Sequence, residues 1–438
     1  MYENITSELI DFLKKSPTCF HAAAEIIAVL KQNGYSELSE GAEWKLKKGG
    51  KYFVSRNGSS VIAFRIPGFD YTGMQIAAAH TDSPMLKIKC SDPEMVRADA
   101  YVSLNVEVYG GMLMAPWFDR PLSVAGRVIV ERGNSLSSKL VDVGRDLVLI
   151  PNVAIHMNRD QNKGVAYNEQ TDLIPLFGSA DAKGSFNKII AKAAGVSEKK
   201  IVASDLFVYN RTAPAVWGAE GEFFSAPRID DLECAYTLLK GFVDADENAA
   251  SVPVYAAFDN EEVGSLTKQG ADSTFLADVI ARINDACGKT RQGALAVIAN
   301  SMMASGDNAH AVHPNHPELC DPVNKPQMNK GIVLKFNANQ HYTTDAVSEA
   351  MFRRICEKAG VPCQQFVNRS DMRGGGTLGN ISNAHVSLNT FDIGLAQLAM
   401  HSPYETAGTK DPEYMALAMK EFFSTAVVCG QRGTYEFV

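Results

Sequence analysis

The chain has 438 residues, enough for a large core and two domains, and its 46% apolar and 21% charged residues exclude a disordered chain. Its formal net charge is -8 and no lysine- or arginine-rich block stands out, which argues against a nucleic-acid partner. No apolar run is long enough to span a membrane, which argues against a membrane partner. The eight cysteines are scattered, with no Cys-x-x-Cys, as expected of reduced thiols. The first residues lack the basic and apolar regions of a signal peptide, so the expected location is cytoplasmic.

Ile5, Leu9, Phe12 and Leu13 share a face, so the chain opens on a short amphipathic helix, broken at Ser16-Pro17. A second helix is predicted over residues 20–32, with Asn33-Gly34 as its stop. Strands at 52–56 and 60–66 read as a hairpin around Asn57-Gly58. A small apolar strand at 74–79 runs straight into His80-Thr81-Asp82-Ser83-Pro84. The texture changes from about 90 to 222. Strand-like alternation appears at 101–108, 124–130 and 147–150, with helical signal only at 187–194. This reads as a β-rich domain (90–222) inserted between 1–89 and 223–438. Its most distinctive stretches are Trp117-Phe118-Asp119-Arg120 and the run from Ile150 to His156.

Beyond the insert, Arg228-Ile229-Asp230-Asp231 leads into a helix at 232–242. An apolar run from Val252 stops abruptly at Asp259, and Glu261, Glu262 and Gly264 follow. The run is short and rich in β-branched and aromatic residues, as a buried strand of a parallel sheet should be. A helix is predicted at 274–287, then a second buried strand at 294–299, followed by Ser305-Gly306-Asp307-Asn308-Ala309-His310. A strand at 331–336, a helix at 346–360 and a glycine-rich loop at 370–379 come next. A strand at 386–393 leads to Met400-His401-Ser402-Pro403-Tyr404-Glu405, and a last helix covers 412–428. Strand and helix alternate on both sides of the insert, which implies an α/β sheet flanked by helices.

Candidate ligands repeatedly occupy one topological place. His80 and Asp82 follow one strand, Glu261 and Glu262 another, Asp307 and His310 a third, and His401 a fourth; Asp230 opens a helix. In an open α/β sheet, such strand ends meet at one edge. Histidine with carboxylate suits zinc, cobalt or manganese. Cations would also relieve the repulsion between Glu261 and Glu262. Taken alone, each element has a plainer reading. His-x-Asp is commonly a turn with a capping Asp. Asp230-Asp231 is a natural N-cap pair, and capping is the better reading for one of the two. Pro314 and Pro317 interrupt His310, His313 and His316, so at most one of the three belongs to the site. Gly374-Gly375-Gly376 lacks the Lys-Ser/Thr of a phosphate loop and reads as a substrate-hugging loop or a turn.

His80-Thr81-Asp82-Ser83-Pro84, Arg228-Ile229-Asp230, the run from Asp259 to Ser265, the run from Asp307 to Asn315 and the run from Met400 to Glu405 together resemble the aspartyl aminopeptidase family of dizinc metallopeptidases. They stand in the family's order and span nearly the whole chain. The resemblance implies a zinc-peptidase-type mixed sheet flanked by helices, with an inserted β-rich dimerisation domain. It implies two zinc ions per subunit, with cobalt or manganese possible in one site. Asp230 would bridge them, Glu262 and His401 would complete one site, and His80 and Asp307 the other. Glu261 would be the general base, Asp82 would orient His80, and His310 would stabilise the oxyanion.

Lys335 and Tyr342 match the family's substrate-contacting stretch, and a cation there would explain a preference for acidic side chains. The plain reading of Lys335 is a strand-end surface lysine. His156 resembles a histidine that the family places in a neighbouring subunit's active site. The implied protein acts on peptides as a homo-oligomer, a dodecamer built from dimers. One departure is Ser370-Asp371-Met372-Arg373-Gly374-Gly375-Gly376, where the family has Pro-Cys-Gly or similar after Ser-Asp-Met. It bears on side-chain preference and not on the metal ligands. A deacylase or carboxypeptidase of the same fold, or a catalytically idle assembly protein, are the alternatives.

Overall fold

The computed structural model describes residues 2–89, 92–372 and 374–438. Cys90, at the expected start of the insert, and Arg373, within the glycine-loop departure, lie outside the described residues.

Nine strands form the central mixed sheet. Their order across it is Ser36–Glu37, Lys51–Arg56, Ser60–Arg65, Ser251–Phe258, Gly73–His80, Met302–Gly306, Asn389–Gly394, Ile332–Phe336 and Cys363–Val367. The four middle members, from Ser251–Phe258 to Asn389–Gly394, run parallel. Their carboxyl ends therefore deliver the chain to one edge, with Phe258 beside His80 in register. Antiparallel neighbours, Ser60–Arg65 and Ile332–Phe336, bound this parallel block.

The apolar character of both strand faces has a direct cause. Tyr255 and Ala257 face one core, with Leu9, Ile26, Leu232, Phe352 and Phe422 from five covering helices. Val254, Ala256 and Phe258 face the opposite core, with Phe275, Val297 and Leu378 from three more. Burying a side chain such as Phe258 or Phe391 contributes about 1.5–3 kcal/mol each. Gly241 lets helix Ile229–Asp244 lie directly on helix Asp411–Ser424, because a Cβ there would collide with Met419.

A second unit has its own core, built on Leu122, Val128, Phe186, Ile190 and Val208. Its five-stranded sheet has the order Ser135–Asp142, Leu122–Arg132, Ile201–Asn210, Met85–Ile88, Val106–Tyr109, all antiparallel. Met85–Ile88 thus already belongs to this sheet. A three-stranded sheet of Leu176–Ser179, Tyr101–Leu104 and Glu94–Arg97 lies in the same unit. A further sheet joins Phe223–Ala226, Glu405–Gly408, Ala396–Leu398 and Ala309–His310, and so gathers the segments around Asp230, His401 and His310.

Three expectations change. Residues 294–299 are not a strand but the end of helix Arg291–Ala299, whose N-cap Thr290 accepts the Gly293 N–H at 3.1 Å. Alanine-rich sequence behind a threonine cap favours the helix, and the strand comes later, at Met302–Gly306. Residues 147–150 make only isolated bridges, to Phe118, Leu122 and Leu176. The strand expected from 386 starts at Asn389, because helix Leu378–His385 occupies the preceding residues. Among the described residues, no helix is long and apolar enough to cross a membrane, and no disulfide joins the cysteines.

Candidate metal centre and active site

Most of the candidate ligands owe their place to a strand end, and Asp230 to the start of helix Ile229–Asp244. Gly73–His80 terminates on His80 itself. Past Phe258, Asn260 takes a left-handed conformation (φ 66°), and Glu261–Val263 forms a single 3-10 turn. Asn260 Oδ1 accepts hydrogen bonds from Thr267 Oγ1 at 2.9 Å and Gln269 Nε2 at 2.7 Å, which fixes that reversal. The two glutamates are thereby folded back over the sheet edge. Asp307 follows Met302–Gly306 directly, and His401 follows Ala396–Leu398.

Asp230 stands at the centre. Its Oδ1 lies 3.6 Å from His80 Nε2 and its Oδ2 lies 3.4 Å from His401 Nε2. Glu262 Oε2 lies 3.4 Å from the same His401 nitrogen. Two ligand sets result: His80, Asp230, Asp231 and Asp307, and then Asp230, Glu262 and His401. Within each set, one donor atom per residue lies within 4.8 Å of the others, and Asp230 belongs to both.

A second ring of contacts aims these groups. His80 Nδ1 is 3.0 Å from the Asp82 carbonyl oxygen, and His401 Nδ1 is 2.7 Å from that of Gly111. A carbonyl at Nδ1 makes that nitrogen the donor and leaves Nε2 free toward Asp230. The Asp82 carboxylate accepts the backbone N–H groups of Glu261 at 3.1 Å and Glu262 at 3.2 Å. Glu405 accepts those of Asp230 at 3.0 Å and His401 at 2.8 Å. Asp231 accepts the His80 N–H at 3.1 Å, so the expected capping role is not the one it plays: helix Ile229–Asp244 has no side-chain cap bond.

The charge balance is lopsided. Burial pushes Glu261 up to about 7 and raises Glu262, Asp231 and Asp307 as well. Burial opposes the charge of His401, but Asp230 and Glu262 outweigh it and raise the pKa to about 10. Burial also opposes the charge of Asp230, yet His401 and His80 hold it well below the carboxylate range. Asp230 Oδ1, Asp231 Oδ1 and Glu262 Oε1 are buried without a hydrogen-bond partner among the described residues. Such orphaned atoms cost about 1–3 kcal/mol each, more when charged. Bound cations would satisfy them and reverse the pKa pattern. The donor set of imidazole and carboxylate therefore fits zinc.

A cavity of about 290 Å³ opens over these groups. Lys335 lines it and is only 3% exposed, so it is not the surface lysine of the plain reading. Its Nζ donates to the Asn308 carbonyl at 2.7 Å, lies 3.5 Å from Asp307 Oδ2, and sits 5.4 Å from the centroid of the buried Tyr342 ring. His310 keeps an exposed edge at the cavity mouth. Crowding on its other sides, with Lys335 nearby, lowers its pKa and favours the neutral ring. Gly375 and Gly376 also line the cavity. His313 and His316 face each other at 5.2 Å and do not line it. His156 is exposed and does not line it either.

Residues 12–423 match the family model described as aminopeptidase I zinc metalloprotease, M18. This chain belongs to the M18 family of zinc aminopeptidases. Members of that family are hydrolases acting on peptides, and the resemblance carried by the strand-end motifs holds at that level. The M18 chain is 45% identical over 426 residues to a Clostridium novyi protein named "Probable M18 family aminopeptidase 2", covering 95% of this chain and 98% of that one. Its fold is similar to the Ape4 of a solved Ape4–Nbr1 complex (34% identity, TM-score 0.93, 97% and 86% of the two chains). It is also similar to the S. cerevisiae mApe1 dodecamer (29% identity, TM-score 0.84, 96% and 97%).

Four contributors in this M18 site escape sequence reasoning. Asp231 is masked by its capping position. Glu405 carries a signal, four residues beyond His401 in one motif, but no ligand spacing. Tyr109 and Gly111 sit in the second unit, and nothing local in sequence links them to Asp82, Asn260 and His401, which they touch.

Proposed function

We propose that this M18 enzyme is a two-zinc aminopeptidase that removes acidic residues from peptide N-termini. The observation that carries it is the placing of the two Asp230 oxygens against His80 and His401. In this reading Asp230 would be shared by both zinc ions, Glu262 and His401 would complete one site and His80 and Asp307 the other, and one of the two sites would also accept cobalt or manganese. When bound, the metals polarise the scissile carbonyl and acidify water.

The remaining steps belong to the chain's own residues. Glu261, which lines the cavity beside the ligand sets without belonging to either, is placed to accept a proton from the attacking water and pass it to the leaving amine. Asp82 holds the backbone of Glu261 and Glu262 and backs His80. His310 at the cavity mouth donates to the developing oxyanion. Lys335, buried beside Tyr342, supplies the positive charge for an aspartyl or glutamyl side chain.

The acidic preference is tested with aminoacyl substrates assayed with zinc, cobalt and manganese. Native enzyme is expected to favour aspartyl and glutamyl substrates. Lys335→Met is expected to lower kcat/KM for them by about 10–100-fold, the worth of a charge-assisted hydrogen bond, and to spare neutral ones. Equal losses on both classes would remove Lys335 as the selecting residue.

We further propose a homo-oligomer, by analogy with the dodecameric relative, in which the β-rich second unit makes the dimer contacts and His156 serves a neighbour's site. The exposure of His156 away from its own cavity supports this. The proposed location is cytoplasmic. Native mass spectrometry is expected to give a dodecamer, and His156→Ala to lower kcat with the assembly intact. A fully active monomer would contradict both.

A further inference from the structure

Strand Val106–Tyr109 of the second unit ends beside the metal centre, and three consecutive residues there touch three parts of it. The Tyr109 hydroxyl donates to Asp82 Oδ2 at 2.6 Å and accepts from Asn260 Nδ2 at 2.8 Å. Gly110 has φ 77°, and a Cβ there would lie 3.1 Å from the Glu262 Cβ. The Gly111 carbonyl lies 2.7 Å from His401 Nδ1. Two residues on, the Leu113 N–H donates to the His401 carbonyl at 3.0 Å.

Asp82 is buried, and hydrogen bonds orient its carboxylate. Behind it lies a second cavity of about 280 Å³, bordered by Asp82, Tyr109 and Asn260. This cavity shares no lining residue with the one over the metal centre. Asp82 and Asn260 border this second cavity, while Glu261 and Glu262 line the one over the metal centre. Asp82 Oδ2 accepts from Glu262 N–H and from Tyr109, and Oδ1 accepts from Glu261 N–H. Among the described residues, Tyr109 is the one hydrogen-bond donor on this carboxylate that comes from the second unit. Its ring also packs edge-on to Phe207 at 5.7 Å, a contact that Phe would retain.

We propose that Tyr109 is a positioning residue for the Glu261–Glu262 pair, acting through Asp82, and that Tyr109–Gly111 ties the second unit to the metal centre. The proposal rests on Glu261 and Glu262 serving as base and ligand. A shift of the second unit, such as assembly or its loss would impose, moves the Asp82 carboxylate and with it both glutamate backbones. Misplacement of a catalytic group is felt mainly in turnover, because Tyr109 and Asp82 do not line the cavity that Lys335 and Tyr342 line.

The test is Tyr109→Phe in the full-length metal-loaded enzyme. The expected result is a fall in kcat of about tenfold, equivalent to about 1.4 kcal/mol. KM is expected within about twofold of native, with unchanged zinc content by elemental analysis. In an Asp82→Asn background the same change is expected to cost little more, since the partner it acts on is already altered. A native kcat, a loss confined to KM, a loss of zinc, or effects that multiply fully in the double variant would each overturn the proposal. Gly110→Ala is an independent probe that leaves Tyr109 in place; it too is expected to lower kcat, and full activity in it would overturn the tie to the metal centre. Glu261→Gln is read separately: full turnover there removes the base and leaves the dependence on Asp82 to be decided by the double variant.

Discussion

Glu261→Gln is expected to retain both metals and to lose turnover by about 10²–10⁴-fold, the usual worth of a general base. The carboxylate lines the cavity beside the ligand sets without belonging to either. The amide of Gln has nearly the same shape and cannot accept a proton, so substrate binding should survive while proton transfer fails. Elemental analysis with steady-state kinetics checks this. The decisive pattern is native zinc and native KM with kcat collapsed. Zinc lost together with kcat would make Glu261 a ligand, and retained hydrolysis would remove it from the mechanism.

The same stretch shows what a sequence makes legible. An apolar run ended by Asp259, with Glu261 and Glu262 next, identifies a strand end, because strand burial and site placement are both local consequences of residue order. His80, Asp307 and His401 are legible for the same reason. Register then does what sequence cannot state: Phe258 pairs with His80, and Asp230 arrives from another sheet to stand between the two histidines. The errors are equally physical. Ala294 to Ala299 is apolar without a clear period, so a helix and a buried strand look alike there. Asp231 resembles a cap because local rules know nothing of the His80 N–H that it accepts. Lys335 resembles a surface lysine because nothing nearby in sequence announces Asn308 and Asp307 as its partners. Tyr109 and Glu405 act only through tertiary contacts.

Asp230→Ala is expected to lose both zinc ions and all measurable turnover, whereas His80→Ala or His401→Ala is expected to lose one ion first. The difference follows from Asp230, which alone among the described residues belongs to both ligand sets. Its removal also leaves the N–H that Glu405 accepts without its side chain's context, but the fold should survive, because the cores on both sheet faces are untouched. Metal content per chain, followed during dialysis, separates the cases, and an Asp230→Ala enzyme that holds one ion as tightly as native would disprove the sharing.

The native centre adds a signed pH dependence. Glu262, Asp231 and Asp307 are raised above the usual carboxylate range in the metal-free site, and His401 stays protonated up to about 10. Cations must displace those protons, so zinc binding should release protons and affinity should fall as pH falls. Calorimetry in two buffers of different ionisation enthalpy reads the number released. A proton-neutral binding event in the native enzyme would mean that this carboxylate-rich edge is not where the zinc goes.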